Sequence, residues 1–382
     1  MLKNYITMSN NTIYFYATLG DMSKPAFGGG EVGNRRTLHL LKQIGYNVVP
    51  IPKYERRDGH SFKDLISKIG DATANLWLYV KTLRKGNPKN SIVHIAGFSG
   101  SMVYWTLILI YISEWLGYKT VYELRGGGIV DQYETNSSFY RICFDKAIRK
   151  ADCVFSQGEA NKPLIMRIEP HTDYYYYPNY VEEGFAPQEY PIKPNNSLNL
   201  IYFGRLSRLK NIELIIDVFN EVTSRIEIPV TLSIIGNPES DGYFNLIRKK
   251  MESCASQNNI TLCTRCPHDV LKAHLQDKHF YLFPTQENGE GHSNALTEAM
   301  TWGIIPIAAN QGFNKDVIDC DGLIVDKLSV ASFADIIISL HNQQKMNILS
   351  EKMYLRAKEL YSYKAAYNRL HKKYANLFIG VN

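Results

Sequence analysis

The chain has 382 residues, 45% of them hydrophobic and 21% charged, with a formal net charge of +6 and a pI near 8.8. That length is too great for one compact core and the composition is not that of a disordered chain, so two α/β domains are expected. Lys and Arg are spread along the chain rather than gathered in blocks, which excludes a dedicated nucleic-acid binder and leaves anionic small molecules or an acidic membrane surface as partners.

Six cysteines without the dense spacing of a disulfide framework indicate reduced thiols. Met1 to Asn11 lacks the basic start, apolar centre and cleavage site of a secretory signal, so the expected location is the cytoplasm, including the inner face of the membrane. The most apolar stretch, Met102 to Leu116, carries Glu114 and falls short of the roughly 20 residues needed to cross a bilayer; it is predicted as a buried helix.

Apolar, β-branched runs alternate with helical patterns through the first half. A strand at Thr12 to Thr18 leads through a glycine loop to a helix at Glu31 to Gly45 and a second strand at Asn47 to Ile51. Further strands are predicted at Ser91 to Ala96, Lys119 to Leu124 and Cys153 to Ser156, which together make a doubly wound parallel sheet. Three prolines and a run of Asn between Ala186 and Ser197 mark a linker.

The pattern then restarts. Strands are expected at Leu198 to Phe203, Val230 to Ile235, Ile260 to Cys263, Phe280 to Phe283 and Ile305 to Ala308. Helices between and after them are expected at Asn211 to Thr223, Tyr243 to Ser256, Asp269 to Leu275, Asn294 to Trp302 and Ser332 to His341. The expected organisation is a Rossmann-like domain over 1–190, a second over 191–350, and a basic, Tyr-rich helical tail over 351–382 that packs back on the first. Two such sheets facing across a cleft would bind ligands at their strand ends.

The segment richest in chemistry is Glu290-Gly291-His292-Ser293-Asn294-Ala-Leu-Thr-Glu298, between two predicted strands. Glu290 falls in a loop after a strand, Ser293 is a reasonable N-cap, and Glu298 lies on the helix that follows. The free amides and dipole of that helix start suit a phosphate, with one carboxylate available to sugar hydroxyls and the other to ribose hydroxyls. In Gly204-Arg205-Leu-Ser-Arg-Leu-Lys210, a strand-end Arg and a Lys five residues on can converge on one anion. Taken singly, each segment also reads as ordinary solvated charge.

In combination these segments resemble family 4 retaining glycosyltransferases of the GT-B fold, and the wording around Glu123-Leu-Arg125-Gly126 is similar to a bacterial subgroup that builds capsular or O-antigen polysaccharide. Glu290 and Glu298 match the family's pair of acids with seven residues between them, and Arg205 and Lys210 its phosphate-binding pair. Ile234-Ile-Gly236 resembles its strand-to-glycine turn near the donor, and Pro178-Asn179-Tyr-Val its Pro-Asn-Gly-Val element. The resemblance implies donor contacts by Glu298, Gly236, Gly291, His292, Ser293 and Asn294, with Glu290, Arg205 and Lys210 at the chemistry. Gly29 and Gly30 would face acceptor and phosphates, with Arg125 and Gly126 beside them; Arg125 stands where many members have a histidine. It implies a nucleoside-diphosphate sugar as co-substrate, no metal or other cofactor, and a glycan or lipid-linked acceptor.

Gly28 to Gly33 also satisfies the dinucleotide fingerprint G-x-G-x-x-G, but the second strand runs into Pro52-Lys53-Tyr54 with no acid for a ribose; Glu55 and Asp58 come late. A nicotinamide oxidoreductase is therefore the weaker alternative, beside a sugar-nucleotide epimerase or hydrolase on the same fold. Cys263 and Cys266 with His268, His274 and His279 make an awkward zinc set, and Asp319-Cys-Asp321 reads as a turn. His94, inside a strand, reads as a core histidine. Basic residues at Arg35, Arg36, Arg56, Arg57, Arg84 and Lys85, with Met102 to Leu116, suggest peripheral contact with anionic lipid.

Overall fold

The computed structural model describes residues 11–24, 26, 28–53, 62–98 and 100–379. Arg56, Arg57, Glu55 and Asp58 lie outside the described residues. The chain divides into two compact units, Met1–Tyr177 with Ala366–Asn382, and Pro178–Ala365.

The first unit begins with β1 (Thr12–Ala17), α1 (Gly29–Ile44), β2 (Asn47–Pro52), α2 (Phe62–Leu83) and β3 (Ser91–Phe98). It continues with α3 (Met102–Trp115), β4 (Lys119–Arg125), α4 (Ile129–Thr135), α5 (Ser138–Lys150), β5 (Cys153–Ser156), α6 (Lys162–Ile168) and β6 (Tyr174–Tyr176). The six strands are parallel in the order β2-β1-β3-β4-β5-β6. Their side chains are apolar on both faces because helices cover both, as a parallel sheet requires.

The second unit holds β7 (Leu198–Phe203), α7 (Ile212–Arg225), β8 (Val230–Ile235), α8 (Asp241–Glu252), β9 (Ile260–Cys263) and α9 (His268–Leu271). Then come β10 (Phe280–Phe283), α10 (Asn294–Thr301), β11 (Ile305–Ala309), α11 (Asn314–Ile318), β12 (Ile324–Val325), α12 (Val330–Asn342) and α13 (Met346–Leu360). Its strands are also parallel, in the order β12-β11-β10-β7-β8-β9. The last helix, α14 (Tyr363–Ile379), belongs to the first unit from Ala366 onward.

In each sheet the chain leaves two neighbouring strands in opposite directions, β1 and β3 in the first and β7 and β10 in the second. Open α/β sheets take ligands at such switch points, beyond the carboxyl ends of the strands. Arg205 and Lys210 follow β7, and Glu290 follows β10, so the topology alone delivers these residues to one place.

Four sequence expectations change. The Met102–Trp115 helix is not buried all round: Val103, Leu109 and Ile110 face the core, whereas Ile108, Tyr111 and Trp115 face solvent. An outer-layer helix has only one inward stripe, and the run of apolar residues hid which one. The helix expected at Tyr243 to Ser256 starts at Asp241 behind its N-cap Ser240 and stops at Glu252. That at Asp269 to Leu275 is one short turn, His268–Leu271, followed by a tighter turn. The tail breaks at Tyr361 into two helices. Helices α2, α4, α5 and α6 lie among the helical segments that the sequence places near the strands of this sheet without bounds. Among the described residues, no helix is long and apolar enough to cross a membrane.

Candidate active site

The second sheet's switch point is tightly built. A Cβ on Gly236 would lie 1.8 Å from the Gly204 carbonyl oxygen, so only glycine lets the turns after β7 and β8 approach so closely. Tyr202 donates its hydroxyl to the Arg205 carbonyl at 2.7 Å and fixes the backbone there. Lys210 ends a tight turn, Arg208–Lys210, and Asn211 behind it takes a left-handed conformation that redirects the chain into α7.

Lys210 is almost fully buried, and its ammonium contacts the Glu290 carboxylate and, at 2.6 Å, the Glu287 carboxylate. The Phe283 ring lies 5.0 Å from the same ammonium. Arg205 reaches Glu287 at 3.3 Å from a more exposed position. Thr285 donates to Glu290 at 3.2 Å. The backbone of Glu290 is held by Gly312, where a Cβ would lie 1.8 Å from the Glu290 carbonyl oxygen. Arg205, Lys210 and Glu290 therefore form one cluster, which Glu287 completes.

The two acids differ. Burial pushes the Glu290 carboxyl up, and the like charge of Glu287 adds to it against the pull of Lys210. Burial works against ionisation of Glu287 too, but Lys210 and Arg205 outweigh it and hold its carboxyl below the usual range. Two cations thus face two acids of unequal ease of ionisation. An anion entering here competes with Glu287, the more exposed partner, for both cations.

Beyond the cluster, Ser293 caps α10, accepting from the Leu296 amide at 3.4 Å. Gly291 and His292 lie in the loop before it, and Asn294 is its first residue. Asn179, of the Pro178-Asn179 element, donates to the His292 carbonyl at 2.7 Å and anchors that loop. Glu298 is buried on α10, with His268 at 3.0 Å. The His268 ring stacks on Phe185 with centroids 4.7 Å apart. Buried Tyr281 links the two halves: burial chiefly, then Tyr202, Glu290 and Glu298, raise its phenol well above the usual value.

In the first unit Gly29 and Gly30 open α1, and Gly28 precedes it without a side-chain cap. Position 53 after β2 is Lys53, whose amine burial lowers to about 8; it bonds the Met102 sulfur at 3.0 Å. Arg125 ends β4, and the Gly126 amide donates to Gln157 at 3.3 Å. Arg125 is buried, 2.7 Å from Glu123 and 3.1 Å from the Thr37 hydroxyl. Glu123 continues to His94 at 2.8 Å, and the other ring nitrogen of His94 bonds the Tyr374 hydroxyl of α14. Burial opposes ionisation of Glu123, but Arg125 and His94 more than offset it and lower its carboxyl.

The sequence reading missed Glu287, Gly312 and the pairing of His268 with Glu298. Glu287 had a signal, a second acid three residues before Glu290 in the same loop. His268 drew attention only as a zinc ligand. Among the described residues, no group of three or more His, Cys, Asp and Glu is placed to hold a metal ion. His279 instead accepts from the Asn199 amide at 3.0 Å and bonds the Pro194 carbonyl at 2.7 Å.

Residues 188–359, wholly within the second unit, match the family described as Glycosyl transferases group 1. No curated protein matches the sequence. The sucrose-phosphate synthase of Thermosynechococcus elongatus superposes with a TM-score of 0.68 at 15% identity, over 97% of this chain and 100% of that one. HepE of Anabaena in complex with UDP gives 0.67 at 14% identity, over 96% and 100%. The lipopolysaccharide outer core galactosyltransferase WaaB in its apo form gives 0.66 at 15% identity, over 94% and 98%. The chain has the fold of these GT-B enzymes, two parallel α/β units, and the family match over its second unit supports a glycosyltransferase.

Proposed function

We propose that this chain transfers a sugar, with retention at the anomeric carbon, from a nucleoside diphosphate to a hydroxyl of a glycan or lipid-linked saccharide. The observation that carries the reading is the Arg205, Lys210, Glu287 and Glu290 cluster at the β7/β10 switch point, beside the capped start of α10. The likeness to WaaB and to UDP-bound HepE supports a nucleotide-sugar donor and a place in surface polysaccharide synthesis. The cytoplasm, at the inner face of the membrane, is the matching location.

In this reading the diphosphate takes the place of Glu287 on Arg205 and Lys210. The planar fork and the point charge then stabilise the charge that develops on the leaving phosphate, the role for which a metal is otherwise used. Glu290 accepts from donor-sugar hydroxyls, and Glu298, oriented by His268, from the ribose. The bond from the anomeric carbon to the phosphate oxygen breaks as the bond to the acceptor oxygen forms, and the acceptor proton passes to the departing phosphate. Gly29, Gly30 and Gly126 serve the acceptor or the phosphates, whereas Arg125, buried against Glu123 and Thr37, acts on them only by holding the end of β4 in place.

The test is turnover of a panel of nucleoside-diphosphate sugars with glycan and lipid-linked acceptors, with product anomers read by NMR. Acceptor-dependent release of nucleoside diphosphate with retained configuration supports the proposal. Donor consumption without acceptor would favour a hydrolase or epimerase, and reduction of a nicotinamide dinucleotide would favour an oxidoreductase.

A further inference from the structure

Six of the large apolar side chains that face solvent lie on three neighbouring helices of the first unit: Trp77 on α2, Ile108, Tyr111 and Trp115 on α3, and Phe139 and Ile142 on α5. Their inner faces share one core, with Tyr79, Leu109 and Phe144 in it, so all three helices lie on one side of the sheet. The exposed residues recur at helical spacing on the faces opposite, as the outer surface of a single layer. Contacts join the rows: Tyr104 of α3 stacks on Phe139 of α5 at 5.5 Å between centroids. Exposed singles need no explanation, but six large apolar side chains gathered on the outer faces of three neighbouring helices mark an interaction surface.

The charge on this layer identifies the partner. Over residues 77–85, 102–115 and 138–150 there are seven Lys or Arg against two acids, Glu114 and Asp145. Both acids are engaged, Glu114 with Lys150 at 2.7 Å and Asp145 with the Tyr133 hydroxyl at 3.0 Å. The cations sit among the rings: Lys81 lies 4.3 Å from the Trp77 ring, Arg84 5.9 Å from Trp115 and Lys150 5.8 Å from Tyr111. Tryptophan and tyrosine beside lysine and arginine match the depth profile of a bilayer interface: rings settle at headgroup level while long basic side chains reach the lipid phosphates. A protein partner would need a complementary acidic face; an anionic bilayer supplies one without a specific fit.

We infer that the outer face of α2, α3 and α5 is a docking surface for an anionic lipid bilayer, with Trp77 and Trp115 inserted at the interface and Lys81, Arg84 and Lys85 on the headgroups. The inference does not depend on the sugar-transfer reading, because none of these residues belongs to the candidate active site. Of the lipid contact suggested by the sequence it keeps Arg84, Lys85 and the Met102 to Leu116 segment and gathers them on one face with Trp77, Lys81 and α5. Arg35, which the sequence also suggested, is occupied by the Leu19, Lys24 and Asp21 carbonyls.

The experiment is sedimentation of the full chain with vesicles of phosphatidylcholine alone and with about a third phosphatidylglycerol, at low and high salt. Binding only to the anionic vesicles, weakened by salt and accompanied by a blue shift of tryptophan emission, is expected. Trp77→Ser with Trp115→Ser should weaken it at least about tenfold. Lys81→Gln, Arg84→Gln and Lys85→Gln together should cost on the order of a hundredfold, roughly fivefold for each charge near the surface. Thermal melts confirm that these exposed changes leave the fold intact. Absence of binding to anionic vesicles, or binding unchanged in both variants, overturns the inference. So does a dimer in light scattering that the tryptophan changes dissolve while vesicles are ignored, which would make the partner a second copy.

Discussion

Each unit contains a charged cluster near the end of its central strands, and the two are built for different purposes. In the second unit Arg205 is more than half exposed, Glu287 about one-third exposed, and Lys210 divides itself between two acids. In the first, Glu123 and His94 are fully buried, and Arg125 is nearly so. Charge that water and ligands can reach is exchangeable, whereas charge sealed in a core must be compensated within the fold. The first cluster ties α14 to the sheet through Tyr374 and fixes Arg125; the second leaves Arg205 and Glu287 within reach of solvent, as the proposed exchange for a ligand anion requires.

The largest expected effect lies on the sealed side. Glu123→Gln leaves Arg125 buried without its counter-charge and should destabilise the protein by about 3–5 kcal/mol, read as a lower denaturant midpoint. A loss below about 1 kcal/mol would show that this cluster is as exchangeable as the other.

Lys210→Met is the counterpart in the second unit. It should lower kcat/KM roughly 10²- to 10³-fold, the cost of removing one preorganised charge from a leaving group, with a loss of stability smaller than that of Glu123→Gln because Glu290, left without its cation, can take up a proton. A variant that unfolds instead would move Lys210 from chemistry to structure.

Glu287→Gln sharpens the contrast by acting in the opposite direction. With the competing carboxylate neutralised, nucleoside diphosphate should bind several-fold more tightly, since exposed pairs of this kind contribute about 1 kcal/mol or less. Weaker binding would mean that Glu287 helps hold the ligand rather than standing in for it.

The smallest effect is in pH. The Glu290 carboxyl is raised, so activity that needs its ionised form should fall off on the acid side above pH 4.5, the ordinary glutamate value. The Glu123 carboxyl is lowered; its contribution to stability is present above 4.5 and is lost only as pH falls through its lower folded value. Activity should therefore fail before the fold does as the solution is acidified. Coincident profiles by enzyme assay and circular dichroism would remove the distinction.

How much of this was legible in the sequence follows from the same contrast. Strands β5, β7, β8, β9 and β10 match their predicted bounds residue for residue, because buried parallel strands are short apolar runs between turn signals. Arg205, Lys210 and Glu290 lie in two local segments, each bland by itself, whose combined wording resembles a known family. The sealed cluster has no such signature: His94, Glu123 and Tyr374 come from distant parts of the chain, and only the fold unites them. The exposed stripe of α3 was hidden by its continuous hydrophobicity, which sets no period by which to orient it.

The central claim is that the two cations after β7 hold a nucleoside diphosphate. Calorimetric titration of UDP, GDP and ADP into the wild-type chain and into Lys210→Met tests it most directly. At least one nucleotide should bind the wild type and lose tenfold or more in the variant; equal affinity for both proteins, or no binding to the wild type by any of the three, would contradict it.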